Sequence, residues 1–295
     1  MVFVLAVDER SAADVRGWPF PNVEVFHLRE LEEAFPRLSM VRSDRSNMEY
    51  LFTLTPWLIL WTMSRVRANA WVTYLDADMA FYSSTTRMYK EISAASVAIV
   101  EHRFTWEQAW RRKYGRFNVG WVGFRNDRDG RNCLTWWAER CLEWCRDEVS
   151  NGRFADQGYL DQFPDRFSRV AIVDLPGANL APWNLRRHRV TYSSDEIVLV
   201  DGQPLIFFHF HGLRFDDARC HFKHAPYFAK TTPEIREGIY RPYCEALAQL
   251  VSSDERNDQD LVRKPTLMSR FSLGRRAILQ WISEWRGDYI DVNLP

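Results

Sequence analysis

The chain has 295 residues, 46% of them hydrophobic, which is enough for one large α/β domain, or for such a domain with a helical extension. Its 39 basic and 39 acidic residues cancel, a balance that argues against a nucleic-acid partner, whose binding would draw on a basic face. No apolar run approaches the roughly 20 residues of a membrane span. The five cysteines show no framework spacing, so reduced thiols in a cytoplasmic protein are expected.

Taken in order, residues 2–7 read as a strand. The opening Met1-Val-Phe-Val-Leu-Ala-Val is short, has no basic leader and meets Asp8, so it is expected to be a strand and not a signal peptide. Residues 23–27 read as a second strand and 28–34 as a short helix or turn. Over 45–67, Met48, Leu51, Phe52, Ile59 and Met63 recur at helical spacing, which predicts a long amphipathic helix. Pro56 either kinks it or, with Thr55 as cap, opens a second helix. A strand ending at Leu75 follows, then a helix over 85–92, a strand over 97–100, a helix over 105–113 and a strand over 118–124. Leu134, Trp137, Cys141, Trp144 and Cys145 then mark a helix of several turns. This alternation predicts a mostly parallel sheet covered by helices. Further on, 197–200 and 205–210 read as strands joined by the turn Asp201-Gly202, a hairpin signal.

The strand pattern Trp71-Val-Thr-Tyr-Leu runs into Asp76-Ala-Asp78. Alternate residues of a strand share a face, so the two carboxylates point the same way. Like charges so placed repel, and a divalent cation such as Mn²⁺ or Mg²⁺ would relieve that repulsion. The plain alternative is two solvated turn acids. Later, Leu205-Ile-Phe-Phe-His209-Phe-His211-Gly212 puts two imidazoles on one strand face and Phe208 and Phe210 on the other. Three readings stand for them. His209 completes a metal site with Asp78; or His209, His211, Cys220, His221 and His224 build a separate zinc site; or the rings hydrogen-bond within the core. The zinc ligands lack regular paired spacing, and the first reading is preferred.

Four stretches now stand in order: Tyr74-Leu75-Asp76-Ala77-Asp78, Phe117-Asn118-Val119-Gly120, Asp156-Gln157 and His209-Phe210-His211-Gly212. Together they resemble the motif series of the metal-dependent A-type fold (GT-A) glycosyltransferases, and within these the glycogenin and bacterial lipooligosaccharide galactosyltransferase family. The resemblance implies a mixed α/β sheet flanked by helices, with a catalytic domain over 1–230 and a helical C-terminal extension over 231–295. It implies Mn²⁺ (or Mg²⁺) on Asp78 and His209, with His211 as the alternate imidazole, and Asp76 on both metal and ribose. It further implies a nucleotide-diphosphate sugar donor, with Asn118 and Gly120 beside the donor sugar and Asp156 and Gln157 beside its anomeric carbon. The acceptor would be a glycan or lipid-linked, and transfer would retain configuration, since Gln157 is a poor general base.

Two departures from the family pattern matter. Its lysine shortly after the glycine, within Lys-Pro-Trp, is replaced by Leu213-Arg214-Phe215, which leaves Arg214, or Arg45 from the helix ahead of the acids, to meet the phosphates. Its opening strand and base-binding loop are not found ahead of residues 1–7. The loop from Gly177 to Asn184, with Asn179 and Trp183, is expected on the acceptor side, where an indole face can pack on a sugar; the alternative is a turn with a core Trp. Two other functions stand beside this one. A haloacid-dehalogenase phosphatase also sets Asp-x-Asp after a strand, with a phosphorylated nucleophile, but it expects Gly-Thr or Gly-Val where this chain has Met79-Ala80-Phe81. A non-catalytic sugar-nucleotide-binding protein is the other. Finally, basic residues alternate with apolar ones over 263–286, the composition of a helix that lies on an anionic membrane or docks on its own domain.

Overall fold

The computed structural model describes residues 1–18, 20–216, 219–254 and 286–292. The chain divides into two units. The first comprises Met1–Asp76, Tyr89–Glu101 and Trp110–Val173; the second comprises Ala77–Met88, His102–Ala109 and the described residues from Asp174 on.

In the first unit the strands Val2–Ala6 and Val23–His27 pair in parallel. A four-stranded sheet runs in the order Trp71–Leu75, Phe117–Arg125, Val97–Glu101, Val170–Val173. Its first two pairings are antiparallel and only the last is parallel. The helix–strand alternation predicts mostly parallel pairing, and the structure corrects it to a mixed sheet. Alternation shows that a connection is long enough to cross over, not that it does so. The strand Phe117–Arg125 is buried along almost its whole length, as expected for a strand covered on both faces.

The helix Asn47–Met63 starts where the sequence dictates. Ser46 accepts from the Glu49 amide while the Glu49 carboxylate accepts from the Ser46 amide, a reciprocal cap that satisfies two otherwise orphaned donors. It runs through Pro56 as one helix. It is less amphipathic than its spacing predicts, because Met48 and Leu51 are exposed while Leu54, Trp57 and Trp61 are buried. Those three pack with Phe26, Leu31, Leu38 and Leu142. Apolar residues sit all around this helix, so periodicity could not single out the inward face. The helix Arg128–Glu143 is capped by Asp127, whose carboxylate accepts from the Gly130 amide at 2.9 Å. Its Cys133, Leu134, Trp137 and Cys141 fill the core against the sheet.

In the second unit Val198–Val200 pairs with Gln203–Pro204 across the predicted Asp201-Gly202 turn, so the second arm of the hairpin is 203–204 and not the predicted 205–210. Asp201 and Gly202 both have positive φ, 51° and 79°, the signature of the tight turn that Asp-Gly favours. The chain then leaves that hairpin. Phe207–His209 pairs antiparallel with Met79–Phe81, with His209 opposite Met79. Arg214–Asp216, Arg219–His221 and Tyr289–Asp291 form another antiparallel sheet. The helix Arg241–Asp254 contributes Cys244 and Ala248 to a core with Phe208, Phe210, Phe222 and Tyr240. All five cysteines are free and buried. No helix among the described residues is long and apolar enough to cross a membrane. The segment 263–286 lies outside the described residues except for Arg286. That guanidinium donates to the Asp288 carboxylate at 2.7 Å and to the Ala229 carbonyl, so it serves the fold of its own unit.

Candidate metal centre

In the first unit, Asp76 follows directly on the strand Trp71–Leu75. Its amide donates to the Gly120 carbonyl at 2.9 Å, so the end of this strand is pinned to its neighbour. The Tyr74 hydroxyl, on the same face two residues back, donates to Asp76 Oδ1 at 2.9 Å. Burial and the Asp76 charge push the Tyr74 phenol well above its ordinary range, so it stays a donor. Asp156 is 4% exposed. Burial, followed by the charge of Asp76, pushes its carboxyl up to about 7, although a hydrogen bond with Thr55 pulls the other way.

Gln157 is held at both ends of its amide. Its Oε1 accepts from the Val119 amide at 3.3 Å and from Asn118 Nδ2 at 3.5 Å, and its Nε2 donates to the Tyr114 carbonyl at 2.8 Å. Asn118, Gly120, Asp156, Gln157 and Asp76 therefore belong to one neighbourhood of the first unit. Arg45 belongs elsewhere. Its guanidinium donates to Thr53 Oγ1 and to the carbonyls of Cys141, Leu142 and Cys145. It thus satisfies the orphan acceptors at the C-terminal end of the helix Arg128–Glu143.

In the second unit, the pairing of Phe207–His209 with Met79–Phe81 delivers His209 to the turn that carries Asp78. The Phe210 amide donates to the Asp78 carbonyl at 2.8 Å, and His209 Nε2 lies 2.9 Å from Asp78 Oδ1. Partial burial pushes the Asp78 carboxyl up, but the hydrogen bond and charge of His209 lead the effects that outweigh it and hold the group below its usual value. Asp78 therefore stays ionised, as a metal ligand must. Asp76 is joined to Asp78 through Ala77 alone, and the linking chain keeps it beside this pair. One ligand atom from each of Asp76, Asp78 and His209 lies within 4.8 Å of the others. Two carboxylates and an imidazole at that spacing are a donor set that suits Mn²⁺ or Mg²⁺. Among the described residues no other set of three His, Cys, Asp or Glu is so placed.

The separate zinc site is therefore not formed. His224 is fully buried, with Nδ1 2.8 Å from Thr231 Oγ1 and Nε2 2.8 Å from the Tyr240 hydroxyl. His211 bonds Lys223, with Nε2 and Nζ 3.2 Å apart. The loop residues lie deeper than an acceptor border requires. Asn179 and Trp183 are buried, as is Asn184, whose amide ties the Asn179 and His102 carbonyls together. The Trp183 indole makes edge contacts with His209 and His211 at 5.1 and 5.4 Å and so backs the imidazoles. Arg214 is exposed on its strand.

Sequence reasoning overlooked Tyr74, although its spacing of two from Asp76 along a strand was a usable signal. It also gave Thr55 no role beyond a possible helix cap. The contact of that hydroxyl with Asp156 joins residues 101 positions apart, and nothing local announces it.

Fold and donor set together define a mixed α/β protein with a candidate divalent-metal centre of two carboxylates and one imidazole. No protein-family model matches the chain. The chain belongs to the family of the Bacillus subtilis (strain 168) proteins YfnF and YfnD. It is 33% identical to YfnF over 220 residues, 72% of each chain, and 30% identical to YfnD over 245 residues, 82% of this chain and 78% of that one. Both relatives are described as uncharacterized proteins. Among solved structures, the apo form of mouse xyloside xylosyltransferase 1 is similar over 71% of this chain and 83% of that one, with 11% identity and a TM-score of 0.42.

Proposed function

We propose that the protein is a GT-A type glycosyltransferase that moves a sugar from a nucleotide-diphosphate donor to a glycan or lipid-linked acceptor, in the cytoplasm, with retention of anomeric configuration. The observation that carries this reading is the 2.9 Å contact of His209 with Asp78, which joins the first and last of the four ordered motifs. Asp76, Asp78 and His209 would hold Mn²⁺ or Mg²⁺. The cation would supply positive charge to the diphosphate as the sugar leaves it.

The remaining roles fall to the chain's own groups. Tyr74 orients Asp76 by its hydrogen bond, as partners of metal-binding carboxylates commonly do. Gln157, fixed by Val119, Asn118 and Tyr114, presents a preset amide to the donor sugar and not a base. Asp156 is enclosed and bonded to Thr55, which favours a positioning part over one in deprotonating an acceptor. Assays of hydrolysis and transfer over a panel of nucleotide sugars, with and without Mn²⁺, test the reading. One donor turned over only with metal is the expected result, and no turnover of any donor would overturn it. The anomeric proton of the product, read by NMR, tests retention; an inverted product would move the catalytic role to Asp156.

Contact of residues 263–286 with membrane belongs to the same proposal. A chain in which a Gly-Ser linker replaces residues 263–285, keeping Arg286 and the strand Tyr289–Asp291, should stay folded and stop sedimenting with anionic liposomes. Unchanged sedimentation would remove the membrane part alone.

A further inference from the structure

A diphosphate leaving a sugar needs a cationic side chain besides its metal, and the position where the resemblance expects a lysine holds Leu213-Arg214-Phe215. Arg214 is exposed. The hairpin that contains it pairs Arg214 with His221 and Phe215 with Cys220. The same register, carried on past Arg214, sets Gly212 opposite Lys223. The side chains agree, since a Cβ on Gly212 would lie 2.2 Å from Lys223 Cδ and 3.2 Å from its Cβ. Gly212 also has a φ of 72°, so glycine is required there twice over: for the backbone turn and for the space the lysine stem crosses. At the end of that stem Nζ lies 3.2 Å from His211 Nε2. An ammonium has no lone pair to accept with, so His211 is the acceptor and carries its own proton on Nδ1. His211 in turn lies edge-on to His209, ring centroids 6.2 Å apart, and His209 contacts the Asp78 carboxylate at 2.9 Å.

We propose that Lys223 is the cationic clamp for the donor's diphosphate, with Gly212 opening its path and His211 holding its ammonium ready. The assignment rests on the reading of this site as a metal–diphosphate centre and replaces Arg214 in that role. It also divides the two histidines, His209 toward the metal and His211 toward the lysine. During transfer the sugar carbon exchanges its bond to the diphosphate oxygen for one to the acceptor oxygen. The electron pair of the broken bond stays on the diphosphate, which takes the acceptor's proton. Lys223 keeps its protons throughout and only donates hydrogen bonds to phosphate oxygens, as an ammonium does at many phosphate sites.

The test is calorimetric titration of inorganic pyrophosphate into the full chain in the presence of Mn²⁺, for wild type, Lys223→Met, Lys223→Arg and Arg214→Met, with thermal melts of each. Lys223→Met should weaken pyrophosphate binding by about tenfold or more, the scale of one charge-assisted contact. Lys223→Arg should retain most of the affinity, Arg214→Met should match wild type, and the affinity for Mn²⁺ alone should be unchanged in all of them. Unchanged pyrophosphate binding in Lys223→Met, or an equal loss in Arg214→Met, overturns the assignment and leaves the metal–diphosphate reading standing. A wild-type protein that binds no pyrophosphate with Mn²⁺ overturns both. If Lys223→Met is unfolded at the assay temperature, Lys223→Gln is judged by the same criteria.

Discussion

Replacing Asp156 by Asn should stabilise the metal-free protein, and more so at alkaline than at acidic pH. Burial and the charge of Asp76 raise the Asp156 carboxyl from 3.8 to about 7 in the folded chain. Between those two values the folded state keeps a proton that the unfolded state has released. Stability from this group is therefore whole below the unfolded value and falls as the pH rises through the window. At 1.36 kcal/mol per unit, the loss is about 2 kcal/mol by pH 5 and about 4 kcal/mol by pH 8. Asparagine keeps the shape and a partner for Thr55 but cannot ionise. Urea unfolding in the presence of a chelator, at pH 5 and pH 8, reads the difference between variant and wild type at each pH. The stability of Asp156→Asn relative to wild type should improve by about 2 to 3 kcal/mol from pH 5 to pH 8. A relative stability that is the same at both would show that Asp156 titrates normally and that its neighbourhood is not the enclosed, charge-loaded place described above.

Two further predictions concern the frame around the site. Burial, with the charges of Arg286 and Arg236, pushes His224 down to about 3. The unfolded chain then takes a proton below pH 6.5 that the fold refuses, so stability should fall from pH 6.5 toward pH 3, by up to about 5 kcal/mol; melts of wild type and His224→Gln across that range check it, the variant showing the flatter profile. Arg45→Ala should cost about 2 to 3 kcal/mol by stripping the carbonyls of Cys141, Leu142 and Cys145 of a charged donor, while calorimetry finds Mn²⁺ affinity unchanged. A variant that melts normally but loses nucleotide affinity would return Arg45 to the phosphates.

What the sequence revealed and what it hid follow from range. Asp201 and Gly202 are neighbours, and the structure has the turn where local chemistry puts it; the Ser46–Glu49 cap is just as local and went unread. Asp76 and Asp78 were visible because an apolar strand ends at them, and His209 and His211 because a glycine closes their alternating run. The parting of 207–209 from its hairpin to pair with Met79–Phe81 was not visible, because a three-residue strand is chosen by its distant partner and by the Leu180 carbonyl that takes the His209 amide. For the same reason Arg45 looked like a phosphate ligand. Only the folded chain brings the end of the helix Arg128–Glu143 to it. Trp183 read equally well as a sugar platform or as a core residue, since an indole serves either and burial alone separates them.

The central claim is that Asp76, Asp78 and His209 hold one divalent cation against a donor's diphosphate. Calorimetric titration of nucleoside diphosphates, with and without Mn²⁺, into wild type, Asp78→Ala and His209→Ala tests it most directly. Wild type should bind one of them only with Mn²⁺, and each variant should lose that metal-dependent binding while melting as a folded protein. Metal-dependent binding that survives in either variant, or is lost only in His211→Ala, would contradict the account.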